Sequence, residues 1–125
     1  MDKKEKRALL KKARSWAYNN LIGKKVYLKE IKKEVIFRKK GIKHALYAKT
    51  DRIKIELIYH ATTLLKTSNL HNIENDKKRR PEIKNVYKFV NTFKYKNKDY
   101  PIYIVVRETP QGFVYYDHGK TKKKP

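Results

Sequence analysis

Three stretches decide the fold: Val86-Tyr87-Lys88-Phe89-Val90-Asn91-Thr92-Phe93, Tyr100-Pro101-Ile102-Tyr103-Ile104-Val105-Val106-Arg107 and Phe113-Val114-Tyr115-Tyr116-Asp117. Each is rich in β-branched and aromatic residues, the composition of a pleated, half-buried surface. The segments between them, Lys96-Asn97-Lys98-Asp99 and Thr109-Pro110-Gln111-Gly112, have the polar and Gly/Pro chemistry of tight turns. Two hairpins in series make a three-stranded antiparallel meander. Such a meander needs a second layer over its apolar face.

The chain upstream supplies that layer. Leu9, Leu10, Ala13, Trp16, Ala17 and Leu21 recur at three- and four-residue steps, which predicts a helix over 3–22 that stops at Gly23. The period then changes. Val26 and Leu28, and further on Val35 and Phe37, alternate with more polar neighbours, so 25–38 is expected to be an early hairpin that turns near Glu30–Lys33. A short helix or turn is expected at 42–48. A longer helix follows from Asp51 to Lys66, with Thr50 or Asp51 as its cap and Ile53, Leu57, Ile58, Ala61, Leu64 and Leu65 as its buried stripe. Residues 68–80 are polar and expected to be a loop, with room for a short strand near Leu70–Ile73. The fold class is therefore α+β: N-terminal helices on one face of an antiparallel β-sheet, which holds the C-terminal three-stranded meander and the early hairpin. One domain is expected over 1–119, followed by a disordered basic tail at 120–125.

Composition points to the partner. Lys plus Arg number 34 against 12 Asp plus Glu, a net charge of +22. No fold requires this excess, and its self-repulsion opposes folding. A polyanion accounts for it, because each phosphate neutralised releases counterions. RNA, tRNA included, is the expected partner. Only seven of the 34 are Arg, so compositional drift toward Lys contributes as well. The chain has no cysteine, which excludes disulfides, thiolate zinc sites and a thiol nucleophile. No window approaches the roughly 18 apolar residues of a membrane span. The charged start carries no signal-peptide pattern. A cytoplasmic protein without membrane contact is expected, or one delivered into a target cell.

Chemistry is sought in the basic runs, the aromatics and the histidines. Lys39-Lys40 and Lys77-Lys78-Arg79-Arg80 are candidate phosphate contacts, although any single run equally suits a solvated face. Tyr87, Tyr95, Tyr103, Tyr115 and Tyr116 are candidates to stack on bases, although about half of the aromatics in a sheet of this size belong to the core. RNA cleavage without a metal needs a base for the ribose 2′-hydroxyl, an acid for the leaving oxygen and cations for the phosphate. His44 lies in Gly41-Ile42-Lys43-His44-Ala45, beside a cation, and His118 follows the last strand. Arg107 ends the neighbouring strand. These three could converge across the sheet end, but sequence alone does not show that they come together; the plain readings are a surface histidine for His44 and a mobile tail histidine for His118. His60 sits on a helix and reads as structural, and His71 carries little signal. No His/Asp spacing fits a metal site and no Gly-rich phosphate loop is present, so no metal or cofactor is expected.

The order of Gly41-Ile42-Lys43-His44-Ala45, a helix ending Leu64-Leu65-Lys66-Thr67-Ser68, Val86-Tyr87-Lys88-Phe89, Val105-Val106-Arg107-Glu108 and Tyr115-Tyr116-Asp117 resembles a nuclease-like domain of phage and mobile-element polyproteins. These domains are grouped with the barnase, EndoU, colicin and RelE-like ribonucleases. The resemblance covers about three-fifths of the chain, judged by eye. It implies a metal-independent ribonuclease of toxin or effector type. His44 and Lys43, Arg107 and Tyr116 are its matched positions. In a ribonuclease, Tyr116 or His118 would supply the second proton. A further expectation is a protein-interaction domain that binds an acidic partner, such as an immunity or antitoxin protein, which a basic toxin would also need. The alternative expectation is a non-catalytic RNA- or DNA-binding module.

Overall fold

A computed structural model describes residues 2–47, 50–75, 81 and 83–121. Helix α1 (Lys3–Asn20) starts where Asp2 accepts a hydrogen bond from the Glu5 amide at 2.7 Å, satisfying one of the amides a helix start leaves open. Gly23, at φ +87°, turns the chain into β1 (Lys25–Leu28). Strand β1 pairs antiparallel with β2 (Lys33–Phe37), the expected early hairpin. Next come α2 (Lys39–Ala45), α3 (Arg52–Ile58) and α4 (Ala61–Thr67). Asp51 caps α3 through the Lys54 amide at 2.9 Å.

The helix expected from Asp51 to Lys66 is thus two helices, broken at Tyr59–His60. The break has a packing reason. Helix α3 lies against α1 and β6, whereas α4 lies against β1 and β4. A straight helix could not turn one apolar stripe onto both surfaces. The polar segment after α4 contributes β3 (Asn69–Glu74), longer than the short strand expected there. The meander is β4 (Asn85–Tyr95), β5 (Lys98–Glu108) and β6 (Val114–Thr121). Its first turn is the two-residue Lys96-Asn97, both at positive φ (48° and 64°), the left-handed geometry that matches strand twist in tight hairpins.

The sheet is six-stranded, in the order β1-β2-β6-β5-β4-β3. It is mixed rather than wholly antiparallel, because the early hairpin joins the meander through a parallel pairing of β2 with β6. Of the basic tail expected at 120–125, only the first two residues are among those described. Lys120 and Thr121, assigned by sequence to a disordered tail, continue β6 and pair with Tyr103 and Ile102. Leu10, Ala13, Ala17, Ile42, Ile55, Ile58 and Leu65 from the helices and Phe37, Phe89, Ile102, Ile104, Val106 and Tyr116 from the strands form one buried core.

Two details of β6 position everything that follows. The parallel pairing covers only Val35–Phe37 against Val114–Tyr116. Past Phe37 the chain turns into α2, and α2 packs against β6. The register of β5 against β6 also shifts: Val106 faces Tyr116 but Val105 faces His118, leaving Asp117 as the extra residue of a β-bulge. Bulges of this kind re-aim side chains and are common beside functional sites.

Candidate functional site

Helix α2 rests on the bulge itself. A Cβ on Gly41 would lie 2.0 Å from the Tyr116 carbonyl oxygen and 3.1 Å from that of Asp117. Only glycine permits this approach. One helical turn later, His44 reaches over Asp117, and its Nδ1 lies 2.9 Å from Asp117 Oδ1. The far end of α2 is tied down by Arg14, whose Nε and Nη2 donate to the Leu46 carbonyl at 3.1 and 2.6 Å. That carbonyl is among those a helix C-terminus leaves open.

Asp117 is the hub. It is 5 % exposed. His118 Nδ1 lies 2.6 Å from its Oδ2, and the Arg107 guanidinium forms an ion pair with the same oxygen. Both imidazoles therefore direct Nδ1 at one carboxylate. With that carboxylate ionised, a neutral ring at either place donates from Nδ1 and carries its lone pair on Nε2, while a protonated ring donates from Nδ1 and keeps a second proton on Nε2 to give away. The two rings are not equivalent. The His44 side chain is 42 % exposed and that of His118 23 %. Burial depresses the His118 pKa to about 3, with the charges of Lys120, Arg107, His44 and Lys54 acting in the same direction. His118 is a neutral imidazole at physiological pH.

These groups open into a pocket of about 620 Å³ lined by Lys40, Lys43, Lys54, Lys88 and Lys120 as well as Arg107. Glu74, which pairs with Lys88 at 3.2 Å, and Asp117 are its acidic members. A lysine-rich pocket with two imidazoles on a buried carboxylate suits a phosphodiester. By residue type, His44, Asp117 and His118 could also hold a metal ion, since their donor atoms lie within 4.8 Å of one another. The donor set fits this poorly. Both Asp117 oxygens already face imidazole nitrogens, and a cation would compete with Arg107 for one of them.

Of the residues singled out by sequence, His44, Arg107 and His118 come together, and Lys43 and Lys40 line the same pocket. Tyr116 does not belong there. Its ring is fully buried and stacks on Phe37 at 4.7 Å, and burial pushes its hydroxyl pKa far up. It is a core residue and no proton donor. Tyr87 is likewise buried and bonds Glu108. Lys39 sits over the Tyr18 ring at 5.4 Å rather than in the pocket. His60 packs near Phe93, and His71, on β3, near Tyr103. Lys77, Lys78, Arg79 and Arg80 lie outside the described residues. The sequence reading missed Asp117. Its available signal was an acid directly before a histidine at the end of a strand.

An α+β fold with a basic His–Asp–His pocket where a sheet strand meets a short helix is the class these features define. The family model for large polyvalent protein-associated domain 3 matches residues 4–116. The chain belongs to that family, a domain type associated with the polyproteins of phages and mobile elements. No curated protein and no solved structure matches it. Among the described residues no helix is long and apolar enough to cross a membrane.

Proposed function

We propose that the protein is a metal-independent endoribonuclease, and that the pocket around Asp117 is its active site. One observation carries this reading: a buried carboxylate holds two imidazoles by Nδ1 at the floor of a lysine-lined pocket. A polyanion-binding surface needs the lysines but has no use for a pair of oriented imidazoles.

In this reading, Arg107, Lys43 and Lys120 hold the scissile phosphate and offset the charge that grows on it. His118, neutral at rest, accepts the proton of the ribose 2′-hydroxyl as that oxygen attacks phosphorus. The phosphate's own negative charge raises the proton affinity of the ring. His44, protonated and ion-paired with Asp117, gives its proton to the departing 5′-oxygen. The products are a 2′,3′-cyclic phosphate and a free 5′-hydroxyl. Asp117 fixes both rings and stays ionised throughout, as in other carboxylate–imidazole arrangements. DNA lacks the nucleophile and is bound without being cut.

The test is incubation of the purified protein and a His44→Ala variant with total RNA in EDTA, with products resolved on a gel. Discrete fragments from the wild type, absent for the variant, support the reading. Intact RNA with both proteins rejects it. The net charge of +22 favours one second reading, a non-catalytic RNA- or DNA-binding module of a phage or mobile element. Its signature is salt-sensitive binding that His44→Ala leaves unchanged, with no cleavage.

A further inference from the structure

Beside the pocket lies an aromatic row that neither the core nor the proposed chemistry uses. Phe113 is 54 % exposed. Its ring centroid is 6.4 Å from that of Tyr115 at an interplanar angle of 31°. The two are alternate residues of an extended segment and so share one side of it. The Arg38 guanidinium, arriving from the end of β2, lies 4.1 Å from the centroid of the Tyr115 ring. Tyr115 pairs directly with Arg107 across β5 and β6. Directly opposed residues project from the same face, with Cβ atoms about 4.5–5.5 Å apart. The order across this face is therefore exposed Phe, Tyr under a guanidinium, then the arginine that enters the pocket.

Other large apolar side chains are also exposed, Tyr27 among them, but Phe113 lies beside the Tyr115 ring, which sits under the Arg38 guanidinium. Flat rings and guanidinium planes next to a phosphate-binding cation are what an unstacked nucleotide requires. We propose that Phe113, with Tyr115 and Arg38, forms a base-stacking subsite for the nucleotide next to the phosphate held by Arg107, which makes the substrate single-stranded RNA. This rests on the ribonuclease reading for its ligand class. A base paired within a duplex is already stacked on its neighbours and cannot lie on these rings.

Three probes separate stacking from charge. They are a fluorescein-labelled, 2′-O-methylated single strand that cannot be cleaved, the same strand in a duplex, and an abasic phosphodiester of equal length. Anisotropy titrations at fixed salt would use the wild type, Phe113→Ala and Phe113→Trp. Thermal melts confirm that the variants fold, as expected for an exposed position. The inference expects Phe113→Ala to weaken single-strand binding roughly tenfold and to leave duplex and abasic binding unchanged. Phe113→Trp should restore the single-strand preference. Equal single-strand affinity in wild type and Phe113→Ala overturns the subsite while leaving the ribonuclease reading intact. Failure of the wild type to bind any of the probes overturns both.

Discussion

Two buried carboxylates sit on opposite sides of one end of the same sheet, and their surroundings differ. Asp117 and Glu108 are 5 % and 2 % exposed. Glu108 accepts hydrogen bonds from the Tyr87 hydroxyl and from Asn85 Nδ2 at 3.2 Å, and its other oxygen pairs with Lys33 at 3.4 Å. Burial pushes its pKa up, but Tyr87, Asn85 and Lys33 outweigh this and hold it below the usual value. Burial and the bond to Glu108 raise Tyr87 to about 12. Such groups release no proton near neutrality, so this cluster ties β2, β4 and β5 together. Asp117 differs in its neighbours. They are two imidazoles, groups that can take up or give a proton to a bound substrate, and they border an open pocket. Burial of an acid alone therefore says little about function. The chemistry of its partners and their access to solvent decide it.

The comparison can be broken most severely at Asp117. Asparagine there keeps the shape but replaces one of the two acceptor oxygens with an NH2 donor, so one ring loses the partner that fixes its tautomer, and cleavage should fall on the order of 10³–10⁴-fold. Next in size is Gly41→Ala. Its methyl would meet the Tyr116 carbonyl, so α2 must shift and carry His44 with it. Displacements of about 1 Å cost on the order of 10²-fold in rate, to be read as kcat on a defined oligoribonucleotide. Glu108→Gln sharpens the contrast from the other side. Denaturant titration should show a loss of about 1–3 kcal/mol, with unchanged cleavage per folded molecule. The smallest effect concerns His118. Its folded pKa lies near 3, against 6.5 as the ordinary value, under the influence of burial and of Lys120, Arg107, His44 and Lys54, with Asp117 hydrogen-bonded to its ring. Between those values the unfolded chain takes up a proton that the folded one refuses. Stability is thus complete above pH 6.5 and declines as the pH falls toward 3. At pH 5.5 the decline amounts to about 1–2 kcal/mol, and His118→Gln should flatten it.

The meander was legible because period-two alternation and turn chemistry agree over Val86–Asp117, and the early hairpin for the same reason. The break at Tyr59–His60 was not. It answers to two separate packing surfaces, and no glycine or proline marks it. The site was legible in part. His44, Arg107 and His118 stood out as residue types at strand and helix ends, but their gathering in one pocket is a finding of the structure. Asp117 escaped because strict alternation places it with Tyr115 and turns His118 inward with Tyr116. The bulge reverses that phase for His118, and nothing in the local sequence announces it. Its hydrogen-bond partner His44 lies 73 positions away, beyond the reach of any local motif.

The most direct test of the central claim compares Asp117→Asn with Glu108→Gln. Their kcat/KM values would be measured on one oligoribonucleotide in EDTA and corrected for the folded fraction. The account expects Asp117→Asn to lose at least about 10³-fold and Glu108→Gln to match the wild type. Equal rates for Asp117→Asn and wild type, or equal losses in the two variants, would contradict it.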